Sequence, residues 1–95
     1  MFYQINNIFI DDKCFKTGLG YANNNIRQDG KSSSLDLNLL ECVDKCLVEN
    51  ECVGITYNPN THKCYLKSAM VHSGADPGQI SWHTDCKDRG ESFTV

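Results

Sequence analysis

The chain has 95 residues, six of them cysteine, with a formal net charge of -3 and an isoelectric point near 5.4. Its nine basic residues are scattered along the chain, which argues against nucleic acid or an anionic membrane surface as partner, since both require clustered Lys and Arg. No apolar run approaches the roughly 20 residues that span a bilayer, so membrane insertion is not expected.

The opening M-F-Y-Q-I-N-N-I-F-I is too polar for a signal peptide and lacks a basic lead-in, so Met1 is read as the start of an excised piece. Asn6 to Lys16 read as a strand region interrupted by Asp11 and Asp12, with Ile8 and Ile10 alternating and Cys14 and Lys16 in the same period. Gly18, Gly20 and the triplet Asn23, Asn24 and Asn25 break it. Gly18 to Ser34 is therefore predicted as loop with one short edge strand, anchored by Tyr21 and Ile26. A helix is predicted from Asp36 as N-cap, with Leu35 and Leu40 as a hydrophobic staple. Leu39, Cys42, Val43 and Cys46 recur at the spacing of a buried helical stripe, and Glu41, Asp44, Lys45 and Glu49 cover the other side. Asn50, which tolerates the left-handed conformation, ends the helix.

Val53, Ile55 and Tyr57 then alternate with Cys52, Gly54 and Thr56 as a strand. Asn58, Pro59, Asn60 and Thr61 make a turn. The return strand, Lys63 to Lys67, puts Cys64 and Leu66 on one face and Tyr65 and Lys67 on the other. A second loop, Ser68 to Gln79, with Met70 and Val71 tucked beneath it, leads to a last strand from Ile80 and Trp82 towards Cys86. The polar tail after Lys87 reads as a linker stub, so a single domain fills residues 1–95 with its core over about 7–88.

A domain of this length buries only about 60–65% of the surface its unfolded chain exposes, so its apolar core is marginal. An even number of cysteines in so short a chain points to a disulfide framework made in an oxidising compartment. The expected setting is secreted or extracellular, reached through a secretory organelle, with the export signal elsewhere in the parent protein. No N-x-S/T sequon is present. Cysteine count alone leaves fifteen connectivities open. Cys42 and Cys46 with His62 suggest zinc at first sight, but no second close ligand pair follows, and no metal or cofactor is expected.

The helical C-x3-C of Cys42 and Cys46, followed by C-V-G-I-T-Y-N from Cys52 and C-Y-L-K-S from Cys64, resembles the PAN/apple domain family. The resemblance covers Cys14 to Cys86. It departs from the family at Ile55, where many members carry an aromatic residue. What it implies is an α+β fold, a curled antiparallel sheet cradling one helix, with Cys14 joined to Cys86, Cys42 to Cys64 and Cys46 to Cys52. It also implies a binding module rather than an enzyme. Members occur in plasma prekallikrein, factor XI, plasminogen and hepatocyte growth factor, and in tandem arrays in microneme adhesins of apicomplexan parasites, some of which bind galactose-type sugars. The Asn-rich loops make this chain most similar to one repeat of such an adhesin.

No acid/base carboxylate couple stands out, since Asp11 with Asp12 and Glu49 with Glu51 read as exposed charge. Gly18-Leu19-Gly20 lacks the third glycine of a phosphate loop. The expected function is an extracellular adhesive module, one of several tandem repeats, that attaches to a protein receptor or a glycan on a host or target cell. The alternatives are a galactose-type lectin module and a regulatory module of a secreted protease. Sugar binding requires an aromatic face and a few placed polar groups. Tyr21, Tyr57, Tyr65 and Trp82 are the candidate faces, and Asn58, Asn60, Lys67 and His83 the polar groups. Tyr57 and Trp82 are more simply core. Tyr65 and Lys67, opposite Cys64, form the best pair for an exposed site. A lectin predicts a small polar concavity with one exposed ring; protein docking predicts an exposed apolar patch.

Overall fold

Apolar alternation builds two antiparallel sheets around one helix in the computed structural model, which describes residues 2–5, 8–26 and 34–88. Strands β1 (Phe2–Ile5) and β2 (Ile8–Asp11) form a hairpin, followed by a 3-10 turn at Asp12–Cys14. After β3 (Lys16–Gly20) and a two-residue β4 (Leu35–Asp36) comes the helix α1 (Leu39–Val48). β5 (Gly54–Asn58), β6 (Lys63–Lys67) and β7 (Gly74–His83) complete the second sheet, and a 3-10 turn at Thr84–Asp88 closes the domain. The five-stranded sheet has the order β3-β7-β5-β6-β4. The fold is thus the α+β arrangement that the family resemblance implies, with the β1–β2 hairpin as a separate two-stranded sheet.

Strand alternation divides this sheet into two chemically different faces. Ile55 pairs with both Leu66 and Trp82, and Tyr57 with both Cys64 and Ile80, so one apolar face spans three strands. Cys42, Val43 and Cys46 of α1 are buried against it, and α1 packs on β5 and β6. Thr56, between Tyr65 and Ser81 in the register, heads the opposite face. That face is polar yet buried at its centre.

Three disulfides brace these layers. Cys42 to Cys64 fastens the middle of α1 to β6, and Cys46 to Cys52 fastens its last turn to the segment entering β5. Cys14 to Cys86 joins the two 3-10 turns, 72 residues apart in sequence.

Several local expectations are corrected. The helix is capped by Asn38 rather than Asp36. The Asn38 Oδ1 accepts the Glu41 amide at 2.8 Å, and Glu41 Oε1 accepts the Asn38 amide at 3.0 Å, a complete capping box. Asp36 instead pairs across β4 with Lys63 at 2.7 Å, and Leu35 sits in the same strand, so the staple with the exposed Leu40 does not form. α1 ends at Val48. Glu49 closes it with extended backbone, and its carbonyl accepts the Cys52 amide, so the chain is turned back to meet Cys46 before Asn50 has any capping role.

The sheet also extends further than expected at both ends. Gly18 does not end the strand. It lies at a bulge between Thr17 and Leu19 with φ of +84°, a conformation that costs glycine nothing. β7 starts at Gly74, six residues before Ile80, because this early part pairs only with the edge strand β3, which tolerates Pro77 and Gly78 at the bulge. Met70 does pack inward, its Cγ and Sδ closing over the Cα of Gly54, whereas Val71 is exposed. The tail beyond residue 88 lies outside the described residues, as does part of the predicted loop before Ser34.

Candidate functional site

The polar face of the sheet forms the floor of a cavity of about 370 Å³. Thr56 of β5, Tyr65 and Lys67 of β6 and Gln79 of β7 form its base. Its walls are the segment of residues 20–25 that leaves β3 and the stretch from Ser73 into the early part of β7, with Ala75 and Asp76.

The first wall is built by asparagines. Asn23 and Asn24 both adopt left-handed backbone, with φ of 66° and 58°, a conformation that Asn tolerates better than most residues. Two such residues in succession turn their carbonyls back towards β6. The Asn24 carbonyl accepts both the amide and the hydroxyl of Ser68, at 2.9 and 3.2 Å. Asn25 forms a bridge to Lys67, and the Ile26 amide donates to the Leu66 carbonyl at 2.7 Å. The second wall is joined to the first where the Ala22 amide donates to Ser73 Oγ at 3.0 Å and the Ser73 amide to the Gly20 carbonyl at 2.8 Å.

Lys67 is the unusual member. The sequence places it on the correct face, opposite Cys64 and Leu66, but predicts it exposed, whereas it is only 3% exposed. The asparagine wall has closed over it. Its Nζ donates to the Asn23 carbonyl at 3.0 Å and lies 5.8 Å from the centre of the Tyr65 ring. Loss of hydration pushes its pKa below the usual lysine value, because burial disfavours the charged form.

The polar groups around the cavity are partly committed. Asn58 Oδ1 accepts the Asn60 and Thr61 amides in the β5–β6 turn, so the Nδ2 end of its amide is the donor it has left. Gln79 gives an Nε2 hydrogen to the Leu19 carbonyl and keeps its Oε1 as acceptor. Asn25 Oδ1 is buried with no partner among the described residues. Donors and acceptors thus stand side by side around the half-buried rings of Tyr65 and Tyr21, an arrangement suited to a ligand rich in hydroxyls.

Of the residues singled out from sequence, the structure brings Asn58, Tyr65 and Lys67 together in this cavity. Tyr57 lies on the other side of the sheet, buried against α1, and Trp82 is fully buried there as well. His83 lines a second, smaller cavity of about 270 Å³ beside Cys14 and Cys86. Tyr21 joins the two cavities, its ring edge-on to both His72 and His83 with centroids 5.8 Å apart in each case. Sequence reasoning missed Thr56, Gln79, Asn25, Ser73 and Asp76. Alternation along β5 assigns Thr56 to the Tyr65 face and so offered a signal. The loop residues carry no period at all.

A small α+β domain held by three disulfides, with its polar concavity on the sheet face away from the helix, is built as a binding module. The chain belongs to the PAN domain family, whose model matches residues 19–88. PAN domains bind proteins or carbohydrates, so the general role of this chain is binding. No curated protein matches the chain, nor does any solved structure. The disulfide framework fits an extracellular or secreted protein, and no helix among the described residues is long and apolar enough to cross a membrane.

Proposed function

We propose that this domain is an extracellular adhesive module that holds a sugar of a target-cell glycan in the cavity floored by Thr56, Tyr65 and Lys67. The observation that carries the reading is the cavity itself: small, polar, with the half-buried rings of Tyr65 and Tyr21 and a mixed set of donors and acceptors. The Tyr65 ring offers the apolar side of a sugar its contact, and Lys67, Asn58, Gln79 and Asn25 answer its hydroxyls. The alternative ligand, a protein receptor, calls for a contiguous apolar surface. The exposed large apolar residues among those described, Leu40, Val48, Val53 and Val71, are spread over the helix, the approach to β5 and a loop.

A single shallow site of this size binds weakly, and tandem copies in one parent chain raise avidity through effective concentration. Such an arrangement is similar to that of the repeat adhesins of apicomplexan micronemes. The test is titration of the isotopically labelled domain with methyl galactoside and a panel of other sugars, followed through backbone amide shifts. Localised shifts at Asn25, Tyr65, Lys67 and Gln79 are expected. Silence across the panel at millimolar sugar would overturn the glycan reading and leave a protein receptor as the partner to seek.

A further inference from the structure

Lys67 carries more charge than a site for neutral hydroxyls needs. Burying an ammonium is costly unless a carboxylate or a full set of hydrogen bonds compensates. Lys67 has neither among the described residues. Its partners among the described residues are one carbonyl, that of Asn23, and one aromatic face, that of Tyr65, both uncharged. An ammonium has three N–H donors, so two remain after the Asn23 bond. Burial is the cause of its depressed pKa.

The acidic residue of the cavity is Asp76. It stands on the far wall, in the early part of β7 beside Gly20 of β3, while Lys67 belongs to β6 on the other side of β5. Asp76 is exposed and hydrated, so it is suited to accept from sugar hydroxyls at the rim rather than to neutralise Lys67. The cavity therefore has a buried positive end and a solvated negative end.

We infer that the natural ligand of this cavity is an acidic sugar of the uronic or sialic type, seated with its carboxylate on Lys67 and its hydroxyls towards Gln79 and Asp76. The inference rests on the glycan reading and narrows it. A carboxylate supplies a counter-charge to the buried Lys67 ammonium, and a charge-assisted hydrogen bond is roughly twice as strong as a neutral one. The Tyr65 ring, beside both groups, then stacks against the apolar side of the same sugar ring.

The test compares three probes on the intact domain by amide-shift titration: methyl galactoside, methyl galacturonide, which differs by one carboxylate, and glutarate, which has carboxylates and no sugar ring. The expected result is that the galacturonide binds at least about tenfold more tightly than the galactoside, a difference of about 1.4 kcal/mol, with glutarate weaker than both. In Lys67→Gln the two sugars should bind alike. Equal affinities in the native domain, with shifts still centred on Tyr65, would overturn the acidic-sugar inference and leave the glycan reading standing. Glutarate matching the galacturonide would overturn it in favour of an acidic peptide or free carboxylate. Silence to both sugars would defeat the glycan reading and this inference with it. The ratio in the native domain decides the matter even where the variant fails to fold.

Discussion

Replacing Cys42 and Cys64 by Ser should destabilise this domain more than replacing Cys14 and Cys86 by Ser, against the order that loop length dictates. The outer bridge spans 72 residues and the inner one 22. In the chain-entropy model those loops give about 4.4 and about 3.4 kcal/mol, so entropy alone ranks the outer bridge first. Burial reverses the ranking. Cys42 and Cys64 are both 0% exposed at the seam between α1 and β6. A serine hydroxyl left without a partner there costs about 1–3 kcal/mol at each position, which raises the inner loss to roughly 5–9 kcal/mol. Cys14 and Cys86, 4% and 7% exposed, instead line the smaller cavity, so a new hydroxyl there lies close enough to solvent for water to relieve part of that penalty. The assay is urea unfolding followed by fluorescence of Trp82, the one tryptophan of the chain and fully buried on the helix side of the sheet. The outer variant should unfold cooperatively at reduced urea, whereas the inner variant should lack a native baseline even at low temperature. A more stable inner variant would refute the burial argument and leave loop entropy as the controlling quantity.

Two further predictions concern β5 and β6. Gly54→Ala should cost about 1–3 kcal/mol, because its Cβ would stand 2.7 Å from the Trp82 carbonyl oxygen and 2.8 Å from Met70 Cγ. Met70 can swing aside but the β7 backbone cannot, so a melting temperature within about 1 °C of the parent would contradict this packing. Lys67 has a folded-state pKa lowered from 10.5 by burial, so its contribution to stability should rise as pH climbs from that lowered value towards 10.5. The charged form is what burial penalises, and the unfolded chain keeps its proton longer. Lys63, raised by its bond to Asp36, and Tyr57, raised by burial and by Glu41, act in the opposite sense, which is why the comparison must be with a variant. Urea midpoints of the parent and Lys67→Met at neutral pH and at about pH 10 should shift in favour of the parent at the higher pH. All six cysteines are bridged, so no free thiol is present to start disulfide exchange during the measurement. An unchanged difference would mean that Lys67 is hydrated.

What was legible in the sequence follows the reach of local rules. The stripe Cys42, Val43 and Cys46 and the alternation through Ile55, Tyr57, Cys64 and Leu66 are set by helical and strand periods, and both hold in the structure. The N-cap was displaced by two residues because Asp36 and Asn38 are both good caps in isolation. Asp36 was claimed by its cross-strand partner Lys63, a contact 27 residues distant that no local rule contains. The early half of β7 was hidden for the same kind of reason. Gly74, Pro77 and Gly78 spell loop locally, and only the edge strand β3, far away in sequence, converts the segment into a strand.

The candidate site divides along the same line, and the division accounts for its chemistry. Alternation alone places Tyr65 and Lys67 on the face opposite the core, but whether that face meets water depends on the segment that covers it. β4 is only two residues long and pairs with Lys63 and Cys64, so the second half of β6 has an open edge. The asparagine loop takes that edge through the Asn25 bridge and the Ile26 and Ser68 amides, and in doing so it encloses the Lys67 side chain. An apolar residue at this position would fill the space without desolvating a charge, and would serve the fold better. A lysine held there, among the described residues, by one carbonyl and one ring is a stability cost set at the floor of a polar cavity, and it is the cost that an acidic ligand of the kind proposed above would offset.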